Sequence, residues 1–156
     1  MIDQWIETTG KLVFASKRVA SAWRSARDAT LLDDVTAVCS VCQLHSEPCL
    51  ILNDEPLPTT LIHANGGVAF VRWVAADDGL EVISHALRTI EQNVWDGHTE
   101  LFAAGDCVLF DAGVGPSSHS PYASLHIRLR EGIHRVSYVR EHSLSASEVI
   151  LLTLRT

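Results

Sequence analysis

The hydrophobic positions of this chain follow two periods. In LHIRLR, residues 125–130, Leu125, Ile127 and Leu129 alternate with His126, Arg128 and Arg130, the two-residue repeat of a strand with one covered face. In GLEVISHALRTIEQNVW, residues 79–95, the spacing is three and four: Leu80, Ile83, Leu87 and Ile90 form a stripe. Asp77 or Asp78 can cap that helix, and Glu81 sits early, where the helix dipole favours an acid. A second helix is predicted over residues 17–27, with Ser16 as its N-cap and Val19, Ala22, Trp23 and Ala26 on one face.

Most of the remainder reads as strands. DQWIETTGKLVFAS divides into two about a turn at Thr8, Thr9 and Gly10, and VTAVCSVCQLHS with CLILND makes a hairpin across Ser46, Glu47 and Pro48. TTLIHA closes on Asn65-Gly66-Gly67. VAFVRWVAA, residues 68–76, is apolar on both faces apart from Arg72, the pattern of a central strand covered on both sides or of a helix packed over one face. Gly105-Asp106 is expected to turn a hairpin between TELFAA and DCVLFDA, and Glu131-Gly132 to turn another. GVGPSSHSPY, residues 113–122, is a long breaker-rich loop, and EVILLTLRT is a last strand. Strands with two principal helices inserted unevenly imply an α+β fold, mainly an antiparallel sheet, in a single domain over residues 1–156.

Composition supports a folded domain: 156 residues, 47% apolar and only 20% charged, are enough for a core without disulfides or metal. No apolar run reaches the roughly 18–20 residues of a membrane helix. MIDQWIETTGKLVF lacks the basic and apolar regions of a signal peptide, so the cytoplasm is the expected location. The net charge of −7 is unevenly spread: residues 31–111 carry thirteen acids against only Arg72 and Arg88. Phosphate binding needs clustered Lys and Arg, so nucleic acid is not expected as the partner; the acidic stretch would instead speed encounter with a basic protein, or serve only to keep the chain in solution.

Candidate chemistry is sparse. The sequence holds no G-x-S-x-G, P-loop, H-E-x-x-H or G-x-G-x-x-G motif. Cys39 and Cys42 have C-x-x-C spacing, but Cys49 and Cys107 do not supply a second pair, and no helix opens after the motif; reduced core cysteines are expected. The eight histidines are scattered without metal-ligand spacing, and neither a metal nor a cofactor is expected. Asp54-Glu55 in ILNDEPLPTT could join Asp111 as an acid–base set in a small hydrolase. Adjacent residues of an extended chain face opposite ways, however, and Asn-Asp-Glu-Pro is turn chemistry. Arg72 interrupts an apolar stretch and requires a carboxylate if buried; Asp54, Glu55 and Asp111 are the candidates for a structural ion-pair cluster. A general protein-binding or oligomerising module is a further reading, which would be marked by exposed apolar surface.

Taken in order, WIETTG, ILNDEPLPTT, GGVAFVRWVAA, VLFDAG and LHIRLREGIHRV resemble the immunity protein 21 family, from Trp5 to Val139. The chain departs from that pattern at Gly10, where the family has a Gly-Gly pair, and at Asn53, where Gly is usual. The resemblance implies a non-catalytic cytoplasmic protein of a bacterial polymorphic toxin system, which binds and neutralises a cognate toxin by occlusion. With the acidic middle of the chain, it points to a basic toxin of nuclease type. Asp77, Asp78 and Glu81, with Trp5, Asp54 and Glu55, are the expected binding residues.

Overall fold

Two fifteen-residue strands, β6 (Gly97–Asp111) and β7 (Leu125–Val139), run antiparallel to one another and organise the rest. The computed structural model describes residues 4–53, 56–116, 123–140 and 146–156. The other strands are β1 (Leu12–Ser16), β2 (Cys39–Leu44), β3 (Glu47–Leu52), β4 (Thr59–Ala64), β5 (Gly67–Trp73) and β8 (Ser147–Leu154). Together they form one antiparallel sheet in the order β2-β3-β1-β6-β7-β8-β5-β4. Helices α1 (Lys17–Ala22), α2 (Ser25–Ala29) and α3 (Gly79–Gln92) pack outside it. The fold is α+β in the broad sense and mostly β. Among the described residues no helix is long and apolar enough to cross a membrane.

The sheet doubles over on itself. Phe14 of β1 and Phe70 of β5 are separated by three strands in the sheet order, yet their ring centroids lie 5.0 Å apart. A flat sheet, at about 4.8 Å per strand, would hold them about 19 Å apart. The fold line crosses β6 and β7. The register slips between Ala103 and Gly105, Gly105 has φ +72, and Gly132, opposite Ala103, has φ +149. Only the C-terminal part of β6 pairs with β1, and only the C-terminal part of β7 pairs with β8. Each long strand therefore serves both half-sheets.

Alternation then sorts the side chains into layers. Leu12, Phe14, Leu50, Leu52, Phe70 and Ile150 meet between the half-sheets. The opposite faces of the same strands are covered by helices: Val13, Ile51 and Phe110 lie under Val19, Ala20 and Trp23, while Val71, Val149 and Leu151 lie under Val82, Ile83, Ala86 and Ile90. The order is helix, sheet, sheet, helix.

Several elements expected from sequence stand as read. Ser16 accepts from the amide of Val19 at 3.2 Å, and Asp78 from that of Glu81 at 2.9 Å, as N-caps of α1 and α3. The hairpin β4–β5 turns on Asn65-Gly66, and β2–β3 form the expected hairpin but turn on His45-Ser46, with Glu47 and Pro48 already paired in β3 instead of in the turn; all four turn residues have positive φ, as tight hairpin loops demand. His45 is an unusual residue there. Arg18 donates to its carbonyl at 2.6 Å, and its Nε2 lies 3.0 Å from Asp28, so the neighbouring helices clamp the turn.

Others need correction. Gly105-Asp106 and Glu131-Gly132 are not hairpin turns but interior points of β6 and β7; the glycines supply positive φ for a bulge and a bend. Residues 5–16 are not a hairpin either: Ile6 bridges Thr59 at the edge of β4, and the chain then crosses to β1 at the centre of the other half-sheet. The helix expected over residues 17–27 breaks at Trp23, whose extended backbone swings the indole inward to donate to the Ala112 carbonyl at 2.9 Å. On α3, Ile83 and Ile90 are buried as expected, but Leu80 and Leu87 are exposed; Val82 and Ala86 take the inner positions. Most of the long loop expected over residues 113–122 lies outside the described residues.

Candidate protein-binding surface

Arg72 follows Val68 and Phe70 on the inward face of β5, which carries it into the layer between the half-sheets. It is 0% exposed. Register places it opposite Glu148 of β8, and its Nη1 donates to Glu148 Oε1 at 3.1 Å. The required carboxylate is thus one that sequence reasoning did not single out. The signal was present: Glu148 alternates in phase with Ile150 and Leu152, the inward residues of β8. Asp54 and Glu55, two of the candidate partners, lie outside the described residues.

Asp111, the third candidate, takes a different role because it ends β6 in the other half-sheet, beside the crossing N-terminal segment. Its Oδ2 accepts from Thr8 Oγ1 at 2.7 Å and from the Thr9 amide at 2.5 Å, and its Oδ1 from the amides of Gly113 and Val114, both at 2.8 Å. Thr9 Oγ1 adds a further donor at 3.0 Å. Burial pushes this carboxyl up, but the Thr9 amide, Thr8 and the other donors outweigh it and hold the group below its ordinary value of 3.8. A carboxylate so fully bonded is a structural anion, unsuited to exchanging protons with a substrate. That takes Asp111 out of the acid–base set of a hydrolase.

The acids at the start of α3 lie on the surface. Asp77, Asp78 and Glu81 are exposed, and Leu80, among them, is 75% exposed. Two of the three also hold the helix end: Asp78 caps it, and Glu81 Oε2 accepts from the Asp77 amide at 3.2 Å. Trp5 is only half-buried and sits under this first turn. It meets Trp73 edge-on at 5.1 Å, and a Cβ on Gly79 would stand 3.1 Å from its Nε1. Gly79 therefore lets the helix start rest on the indole. Trp5 seats the acids as much as it joins them.

The remaining reactive groups have local partners. Cys39 and Cys42 are three apart on β2 and so face opposite layers; the residue across from Cys42 is Cys49. All four cysteines are free thiols, and burial pushes Cys39 and Cys49 up to about 12 and Cys107 to about 11, leaving almost no thiolate at neutral pH. His85 bonds Ser147 at 2.8 Å, His98 bonds Ser137 at 2.9 Å, and His134 bonds the Arg130 carbonyl at 3.0 Å. Among the described residues no three His, Cys, Asp or Glu side chains converge as a donor set for a metal. A cleft of about 730 Å³ lies between the β4–β5 turn and β7; His63, Arg128, Arg130 and His134 border it, with no carboxylate among the described residues that line it.

The molecule so described is a doubled sheet with Asp111 and Glu148 held in structural roles and Asp77, Asp78 and Glu81 exposed at the start of α3. Its sequence places it: the chain belongs to the Immunity protein 21 family, whose profile matches residues 4–146. Comparison with curated proteins and with solved structures gives no match.

Proposed function

We propose that this chain is an immunity protein that neutralises a cognate bacterial toxin by binding and covering it, without turnover. The observation that carries this reading is the family membership, which spans residues 4–146. The structure supports a binding role: Asp111, the one carboxylate of the hydrolase reading among the described residues, is saturated, whereas the acids at the start of α3 face outward. Asp77, Asp78 and Glu81 are the proposed contact residues, with Trp5 beneath them; Asp54 and Glu55 keep that role as sequence-based candidates.

The toxin is proposed to be basic, as a nuclease that must attract phosphate would be. Thirteen acids against two arginines over residues 31–111 give the field that would steer such a partner. Co-expression tests the reading. Cells making the toxin encoded by the adjacent open reading frame should grow when they also make this chain and arrest when they do not. An association rate that falls steeply from low to physiological salt is expected for a basic toxin, and a salt-insensitive rate would contradict that part.

A further inference from the structure

Two leucines of α3 that the core does not use, Leu80 and Leu87, stand on one outward ridge of the helix. Leu80, Ser84, Leu87 and Glu91 follow one another at steps of four and three residues, which keeps them on one side of a helix, and all four are exposed. Leu80 is 75% exposed and Leu87 41%, and Val94, just past the left-handed stop at Asn93, is 72% exposed. Single exposed leucines need no explanation, but leucines in line on a helix that already has a complete buried face are different. The inner face of α3 is satisfied by Val82, Ile83, Ala86 and Ile90.

Resting on the reading as an immunity protein, we infer that the outward ridge of α3, centred on Leu80 and Leu87, is the surface that seats in the toxin. The matching site is an apolar groove bordered by Lys or Arg. The rim chemistry selects that occupant: Asp77, Asp78, Glu81 and Glu91 are exposed along the ridge against Arg88 alone. A second copy of the chain fits poorly. Antiparallel pairing of two α3 helices brings the acids of one end against Glu91 of the other, and parallel pairing sets each acid against itself. A basic groove meets the same acids with attraction and covers the leucines, the helix-in-groove mode of recognition. From Leu80 to Glu91 the ridge runs about 16 Å, at about 1.5 Å per residue.

The test uses the full chain and the purified toxin domain from the adjacent open reading frame, with its active site inactivated. Leu80→Arg, Leu87→Arg and the milder Leu87→Ser are compared with Phe102→Arg, which alters the exposed apolar pair formed by Phe102 and Ile133 on β6 and β7. Near-ultraviolet circular dichroism and melting temperature should be unchanged, because the altered side chains are exposed. Each Arg variant on the ridge should weaken binding about 100-fold or more, Leu87→Ser less, and Phe102→Arg little. Asp77→Asn with Glu91→Gln should slow association about tenfold at low salt and leave dissociation nearly unchanged. If the wild-type chain binds and the folded ridge variants bind equally well, the ridge is wrong and the immunity reading stands. If the wild-type chain does not bind, both fail. If it self-associates and Leu87→Arg makes it monomeric, the ridge serves a second copy and the proposal is overturned.

Discussion

Asp111 gathers the amides of Thr9, Gly113 and Val114 and the hydroxyls of Thr8 and Thr9 around one carboxylate, and so pins the N-terminal crossing to the end of β6. Removing it takes the acceptor from the buried Thr8 hydroxyl and from several part-buried donors. Each such loss costs about 1–3 kcal/mol, so Asp111→Ala should destabilise the protein by about 3 kcal/mol or more in chemical denaturation. The pH dependence has a definite sign. The folded carboxyl titrates below its ordinary 3.8, so its contribution is fully present above that value and is lost as pH falls through the lower, folded one. The wild-type chain should therefore lose stability more steeply than Asp111→Asn as pH drops below about 4. Equal acid limbs for the two proteins would show that the group contributes no such linkage. The pair Arg72–Glu148 makes a second prediction. Both side chains are essentially unexposed, so Arg72→Met or Glu148→Leu alone should cost about 3–5 kcal/mol by taking from a buried charge its opposite across the register. The double variant should recover much of that loss, and additive losses in the cycle would mean that the two residues are not coupled.

At the scale of elements, the two long strands depend on how they bend. Gly132 has φ +149, a conformation essentially confined to glycine, and a Cβ there would stand 2.7 Å from Leu154 Cδ1. Gly132→Ala should cost about 1–3 kcal/mol in thermal or chemical unfolding. Gly105→Asn should cost less, because φ +72 lies near the left-handed region that Asn tolerates and nothing stands within 4 Å of a Cβ there. A larger loss at Gly105 than at Gly132 would contradict this account of the fold line. The same glycines show where sequence stops being informative. Gly-Asp and Glu-Gly announce positive φ but not whether the chain reverses or merely kinks, since that depends on which strand lies alongside. Asn65-Gly66 was legible because both central positions of its turn favour the left-handed region; His45-Ser46 was not, because Arg18 and Asp28 hold that turn from outside. The break at Trp23 likewise follows from the Ala112 carbonyl, a partner far along the chain. On α3 the period was right and the phase was not: a stripe drawn through leucines overlooked that Val82 and Ala86 fit the sheet better. The exposure of the acids at the start of α3 and the need of a buried Arg72 for a carboxylate were legible. That Glu148 stands opposite Arg72 required the strand register, and the exposure of Leu80 and Leu87 required the packing of α3 on the sheet.

For the whole molecule, the doubled sheet separates stability from display. Glu148 and Asp111 are buried in structural roles, one in each half-sheet, while the acids of α3 stand outside both cores. Family membership and this separation lead to the central claim, that the chain acts by stoichiometric covering of a toxin. The most direct test titrates the purified chain into a fixed amount of active toxin and follows the toxin's own activity. The account predicts that activity falls in proportion to the chain added, does not fall further with time, and returns when denaturation separates the complex and the toxin is refolded alone. Loss of activity that progresses with time at far less than stoichiometric amounts of chain, or no loss at saturating amounts, would contradict it.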